Sequence, residues 1–203
     1  EASRAADVFA KAATSSNTTV EMLGETMKYA APIAHTFGMS LEEVSALAGM
    51  MANAGIKGSQ AGTALRASLL RMSKPTTDMQ KTMTKLGISF TDANGNMKKT
   101  GDIVRMLEKS FTGLSESQRL EAAQTLFGTE AASAWLGILD QGADTYESFA
   151  EQLNNAKGAA DEMAKTRLDN LAGDLEEMGG ALETAKLEIM DKLNPYLREG
   201  VQW

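Results

Sequence analysis

Four groups of residues in this 203-residue chain are of types that can do chemistry. The first is His35, the single histidine. One imidazole works as an acid or base only when a partner orients it, and no nucleophile motif stands near it. Its place between Pro32 and Gly38 reads as a helix end, which points to a structural role. The second group is the carboxylate pairs Glu42-Glu43 and Glu176-Glu177. Adjacent residues on a helix do not face each other, so neither pair makes a dyad; capping and a solvated surface account for both. The third is Asp92-Ala93-Asn94-Gly95-Asn96, which begins like a calcium loop. Such a loop needs a glycine and a bidentate glutamate where this chain has Met97 and Ile103. The fourth is Gly55, Gly58 and Gly62 around Lys57. A phosphate loop needs Gly-Lys-Ser/Thr after a strand, and neither is present. There is no cysteine, hence no disulfide, thiol nucleophile or thiolate metal site. There is no Gly-x-Ser-x-Gly elbow either. The residues predict no enzyme, no bound metal and no cofactor.

The elements that carry these residues are helical. Asn17-Thr18 can cap a helix reaching about His35, with Val20, Leu23, Met27 and Ala30 at helical spacing, and Pro32 should kink or end it. Ser40-Leu41-Glu42-Glu43 is a capping box that opens a helix through Met51, stopping near Gly55. The turn Gly55-Ile56-Lys57-Gly58 leads to a helix with Leu65, Leu69, Leu70 and Met72. Pro75 suits the first turn of another, ending at Leu86-Gly87. Ile88-Ser89-Phe90-Thr91 alternates apolar and polar, Asn94-Gly95 is hairpin-turn chemistry, and Met97–Thr100 offers a return strand. Helices resume over 102–111 and, behind the second capping box Ser115-Glu116-Ser117-Gln118, over 115–126, then 130–139 and 145–154.

The final third differs. Leu168, Leu171, Leu175, Met178, Leu182, Ala185 and Ile189 alternate spacings of three and four, an a/d heptad pattern on a helix that Pro195 should end. This predicts either a coiled coil with other copies or a long helix lying on the domain. Gly173, Gly179 and Gly180 weaken that helix by about 1 kcal/mol each relative to alanine. The fold class is therefore all-α: a multi-helix domain over 1–157 with one small β-hairpin near 88–100, and a long coiled-coil-like helix over 158–203 leading into the rest of a longer chain. No basic leader or apolar signal opens the sequence, and the longest weakly polar run, 44–56, is shorter than the roughly 20 residues that span a bilayer.

The net charge of −7 conceals a pattern. Residues 1–56 carry −3, residues 57–109 carry +6, and residues 110–160 and 161–203 carry −5 each. A basic middle can meet an anionic partner, or neutralise the acidic flanks within one fold or between subunits. No aromatics interleave with the lysines, so a base-stacking platform is not supported and no sequence-specific nucleic-acid binding is expected. The thirteen methionines fit core filling between small residues better than an adaptable binding surface.

One segment is distinctive as a whole: Asn53-Ala54-Gly55-Ile56-Lys57-Gly58-Ser59-Gln60-Ala61-Gly62-Thr63-Ala64-Leu65-Arg66. It resembles the signature of the core region of phage tail tape measure proteins. Further blocks fall in that family's order: Tyr29-Ala30-Ala31-Pro32, Gly38-Met39-Ser40-Leu41-Glu42-Glu43, Lys74-Pro75-Thr76, Leu86-Gly87-Ile88 and Phe127-Gly128-Thr129-Glu130-Ala131. The resemblance covers about residues 1–160 well and 161–193 more loosely. It implies a structural protein of the virion tail, several copies of which lie in the tail tube lumen, set tail length and leave the tube as DNA is ejected across the host envelope. It implies as partners other copies of the chain, the tail tube protein, tail assembly chaperones and tail tip proteins, with transient contact to the host membrane. It implies the host cytoplasm during assembly, the tail afterwards, and the host envelope on infection. Gly55, Ile56, Lys57, Gly58, Ser59, Gln60, Gly62, Leu65 and Arg66 are expected to serve packing or contact, and the heptad residues self-association. A helical membrane-active or pore-forming module outside phage tails is the second reading.

Overall fold

The computed structural model describes residues 2–199, with the side chains of α10 described through residue 180 and at 183 and 184. Ten helices occur among them: α1 (Ala2–Ser15), α2 (Val20–Thr36), α3 (Leu41–Asn53), α4 (Gly58–Ser73), α5 (Thr77–Leu86), α6 (Thr100–Phe111), α7 (Glu116–Phe127), α8 (Thr129–Gln141), α9 (Ala143–Asn154) and α10 (Ala159–Glu199). Contacts divide the chain into two units, residues 1–160 and 161–203.

Side-chain caps set the starts of α2, α3, α5 and α7. Ser40 and Ser115 each accept the amide three residues on, and Glu43 and Gln118 reach back to the serine amides. Both capping boxes form as the sequence predicts. Thr19, not Asn17 or Thr18, caps α2, and Thr76 caps α5, so Pro75 precedes that helix instead of entering its first turn. Pro32 does not end α2 either: it lies inside the helix, four residues from its end. A proline leaves one carbonyl without its amide. Here that carbonyl belongs to exposed Lys28, where water can serve it. Pro195 likewise lies within the bounds of α10, where the sequence placed a helix end.

The expected hairpin is not there. No strand occurs among the described residues, and the segment between α5 and α6 makes one isolated antiparallel bridge, Thr91 to Met97. Lys98 N–H donates to Phe90 at 2.9 Å and Asp92 N–H to Asn96 at 2.8 Å, closing a turn and nothing more. The alternation of Ile88 and Phe90 is real, but it buries them at 6% and 1% exposure against helices. A lone two-stranded ribbon is marginal in water, and no third strand joins it. The Asp92 carboxylate also takes the amides of Asn94 and Asn96, which hold its pKa below the usual range.

The core of the first unit lies among the faces of α1–α9. Phe127 stacks on Trp135 with centroids 4.8 Å apart, and Phe90 tilts against Phe127 at 6.5 Å. Met50, Met51, Met72 and Met79 are fully buried fillers. Three helix crossings close on glycines. A Cβ at Gly62 would stand 2.6 Å from the Thr26 carbonyl oxygen, one at Gly49 2.5 Å from the Phe149 ring, and one at Gly137 2.4 Å from the Ala54 Cβ. Small residues let the backbones approach, which explains how so few aromatics suffice for a core.

Candidate functional site

The distinctive 53–66 segment is the joint between α3 and α4. Gly55 and Gly58 adopt positive φ of 87° and 57°, which a side chain would strain. Four polar side chains tie this joint to its surroundings. Asn53 Oδ1 accepts the Asn17 amide at 2.8 Å, and its Nδ2 donates to Gln141 Oε1 at 3.1 Å. Gln141 Nε2 donates to the carbonyls of Met50 and Gly137 at 2.8 and 2.7 Å. Lys57 Nζ donates to Asn17 Oδ1 at 3.0 Å. The ends of α1, α3 and α8 and the start of α4 thus share one chain of hydrogen bonds.

Along α4 the segment divides. Ala61, Gly62, Ala64 and Leu65 are buried, and α4 packs along α2 with Thr26 Oγ1 donating to the Gly58 carbonyl at 2.9 Å. Gly55, Ser59, Gln60 and Arg66 are exposed, and Ile56, Lys57 and Gly58 are half-buried. Arg66 makes no ion pair among the described residues.

Glu42 departs from its expected solvated role. It is 3% exposed and held by Arg4 of α1, whose Nε and second guanidinium nitrogen donate to its two oxygens at 2.7 and 2.6 Å. The guanidinium pulls the Glu42 pKa below the usual carboxylate value, against the desolvation that would raise it. Nothing local betrays this pair, because its members stand 38 positions apart.

A cleft of about 600 Å³ opens between the α2–α3 turn, the start of α6 and α9. Lys98 and Lys99 line one side, and Glu147 and Glu151 line the α9 side. Arg105 neutralises much of that wall through Asp144 at 2.8 Å and Glu147 at 2.7 Å. Tyr146 lies beneath the cleft at 2% exposure, close to Thr100; burial pushes its hydroxyl pKa up, and the Glu43 charge adds to this. His35 lies at the exposed end of α2 and does not line the cleft. Glu43 does line it, but its carboxylate is already taken up by the cap at Ser40. No cluster of potential metal ligands occurs among the described residues.

On α10 the heptad stripe lies open. Leu168, Leu171, Leu175 and Met178 are 64%, 55%, 55% and 56% exposed. The side chains of Leu182, Ala185 and Ile189 lie outside the described residues. No helix of the described residues is long and apolar enough to cross a membrane.

An all-helical chain with a hydrogen-bonded glycine joint and an open heptad helix suits a structural component, and the comparisons specify which. The model of the family described as phage-related minor tail protein matches residues 1–128, and the chain belongs to this family of phage tail proteins. Its curated relatives are tape measure proteins. It is 46% identical over 197 residues to the tape measure protein of Pneumococcus phage Dp-1, which covers 97% of this chain and 17% of that protein. It is 32% identical over 184 residues to the probable tape measure protein of Escherichia phage P2, covering 89% of this chain and 22% of that protein. The chain therefore spans about a fifth of the length of these relatives. No solved structure matches it.

Proposed function

We propose that this chain is the folded core module of a tape measure protein, acting in tail assembly and tail-length determination and in DNA ejection across the host envelope. The observation that supports this is the combination of identity to tape measure proteins over nearly the whole chain with a compact nine-helix unit. As one α-helix, 203 residues would reach about 300 Å at 1.5 Å each. A unit that folds compactly cannot supply that reach, so length-setting falls mainly to other parts of the whole protein. The core instead serves assembly or envelope passage, in the tail tube lumen beside the tube, chaperone and tip proteins. Within it, Gly62 and Leu65 pack and Gly55 and Gly58 shape the turn, while Ile56, Lys57, Ser59, Gln60 and Arg66 border the joint. Copies associate through Leu168, Leu171, Leu175, Met178, Leu182, Ala185 and Ile189. Membership in a tail protein family leaves a pore-forming module outside phage tails without support.

In-frame deletion of residues 53–66 from the whole protein tests the module. Assembly or infectivity should fall far beyond what a small length change explains. Tails that merely shorten in proportion, with infectivity intact, would refute it.

A further inference from the structure

The exposed stripe of α10 needs a partner, and its charge says which. The stripe is flanked by Asp169, Glu176 and Glu183, acids repeated every seven residues on one side, within a segment of net −5. In a parallel pair of α10 helices with Leu168 and Leu175 at a positions, the flanking contacts would be Arg167 with Ala172 and Asp174 with Gly179. Neither is an ion pair, so nothing offsets the repulsion of two acidic helices. The opposite holds for the basic middle of the fold. Lys98 and Lys99 stand side by side on the cleft, and neither makes an ion pair among the described residues. Phe37, Met39 and Met97 line the same cleft and offer apolar surface. The cleft also carries Glu43, held at the Ser40 cap, Glu147, held by Arg105, and Asp102 and Glu151, while α10 carries Lys165 and Arg167 beside its first stripe leucine.

We propose that α10 of one copy docks in the Lys98–Lys99 cleft of a second copy, its leucine stripe on the apolar lining and its acidic row on the two lysines. The contact is an amphipathic helix in a groove. It is heterologous, since the surface given differs from the surface received, so copies join head to tail. This rests on the reading that the stripe drives self-association, and it names the surface the stripe meets.

Sedimentation velocity on the 203-residue chain tests both, with helicity checked by circular dichroism for every variant. Association should weaken as salt rises from about 25 to 500 mM, because the lysine–acid contacts are screened. The pair Lys98→Glu and Lys99→Glu should weaken association at least tenfold, and so should Asp169→Lys with Glu176→Lys. Mixing those two variants should restore it, because the reversed helix meets the reversed cleft. If the lysine variants associate as tightly as the parent while Leu171→Asp with Leu175→Asp abolishes association, the stripe pairs with itself, and the docking proposal fails alone. A concentration-independent monomer that the lysine variants leave unchanged would overturn both.

Discussion

Alanine at Gly62 probes the closest approach in the fold. The added Cβ would lie 2.6 Å from the Thr26 carbonyl oxygen, 2.9 Å from Tyr29 Cβ and 3.1 Å from Thr26 Cα. Two of these atoms are backbone of α2, so no rotamer change relieves the contact. Helix α2 or α4 must move outward by roughly half an ångström or more, and tight cores resist such overpacking at about 1–3 kcal/mol. The upper end applies because the move also strains the Thr26 to Gly58 hydrogen bond. Alanine returns up to about 1 kcal/mol as the better helix former. The net is destabilisation of about 2 kcal/mol, roughly a 30-fold shift in the folding equilibrium, or a Tm lower by about 4–8 °C. Gly24 of the same helix pair is the control. It is helical and exposed, with nothing within 4 Å of a built Cβ, so Gly24→Ala should stabilise by about 0.5–1 kcal/mol. Urea and thermal unfolding followed by circular dichroism measure both. If Gly62→Ala proves as stable as Gly24→Ala, the account of this crossing is wrong.

Removing Arg4 should cost about 2 kcal/mol in urea unfolding at neutral pH, since it strands the buried Glu42 carboxylate. The same pair predicts a pH profile. The folded-state pKa of Glu42 is lowered, so its contribution is complete above the unfolded value, about 4.3, and fades as pH falls through the lower folded value. In Arg4→Ala the largest cause of the lowering is gone and desolvation opposes the hydrogen bonds from the Glu42 amide and Ser40 that remain, so this acid-side loss should shrink in urea midpoints measured between about pH 3 and 6. Gly137→Ala should destabilise by about 2 kcal/mol by meeting Ala54, and Ala54→Gly should recover most of that in a double-mutant cycle; independent, additive effects would refute the contact. Ser115→Ala should cost about 1 kcal/mol while Ser115→Asp costs little, because only the former removes the oxygen that accepts the Gln118 amide.

What could be read directly from the sequence was local. The Ser40 and Ser115 boxes need only four consecutive residues, and both formed as written. The heptad of α10 needs only spacing, and the first four members do share an exposed face. Features decided by distant partners were misread. Ile88 and Phe90 alternate like a strand, but the surfaces burying them are helical. Glu42 looked like a surface acid because Arg4 comes from another helix. Pro32 read as a kink or an end of α2, but it lies inside the helix, and the carbonyl it orphans belongs to an exposed residue, Lys28. Around the 53–66 joint the unusual glycines were visible, but of the two residues that bind it on either side, Asn17 read only as a helix cap and Gln141 carried no signal.

The compactness of residues 1–160 has a consequence for any measurement of length along this chain. A folded unit of that size has a radius of gyration of about 15 Å. The same residues drawn out as one helix would cover about 240 Å. While the unit stays folded, most of its contour is slack that adds nothing between its two ends. An inserted residue in the turn at Gly113 would leave the reach unchanged, whereas one inserted in α10 would lengthen it by about 1.5 Å. If the whole protein measures length as proposed, calibration of a tail against residue number should therefore show a flat interval here, unless the unit is pulled open.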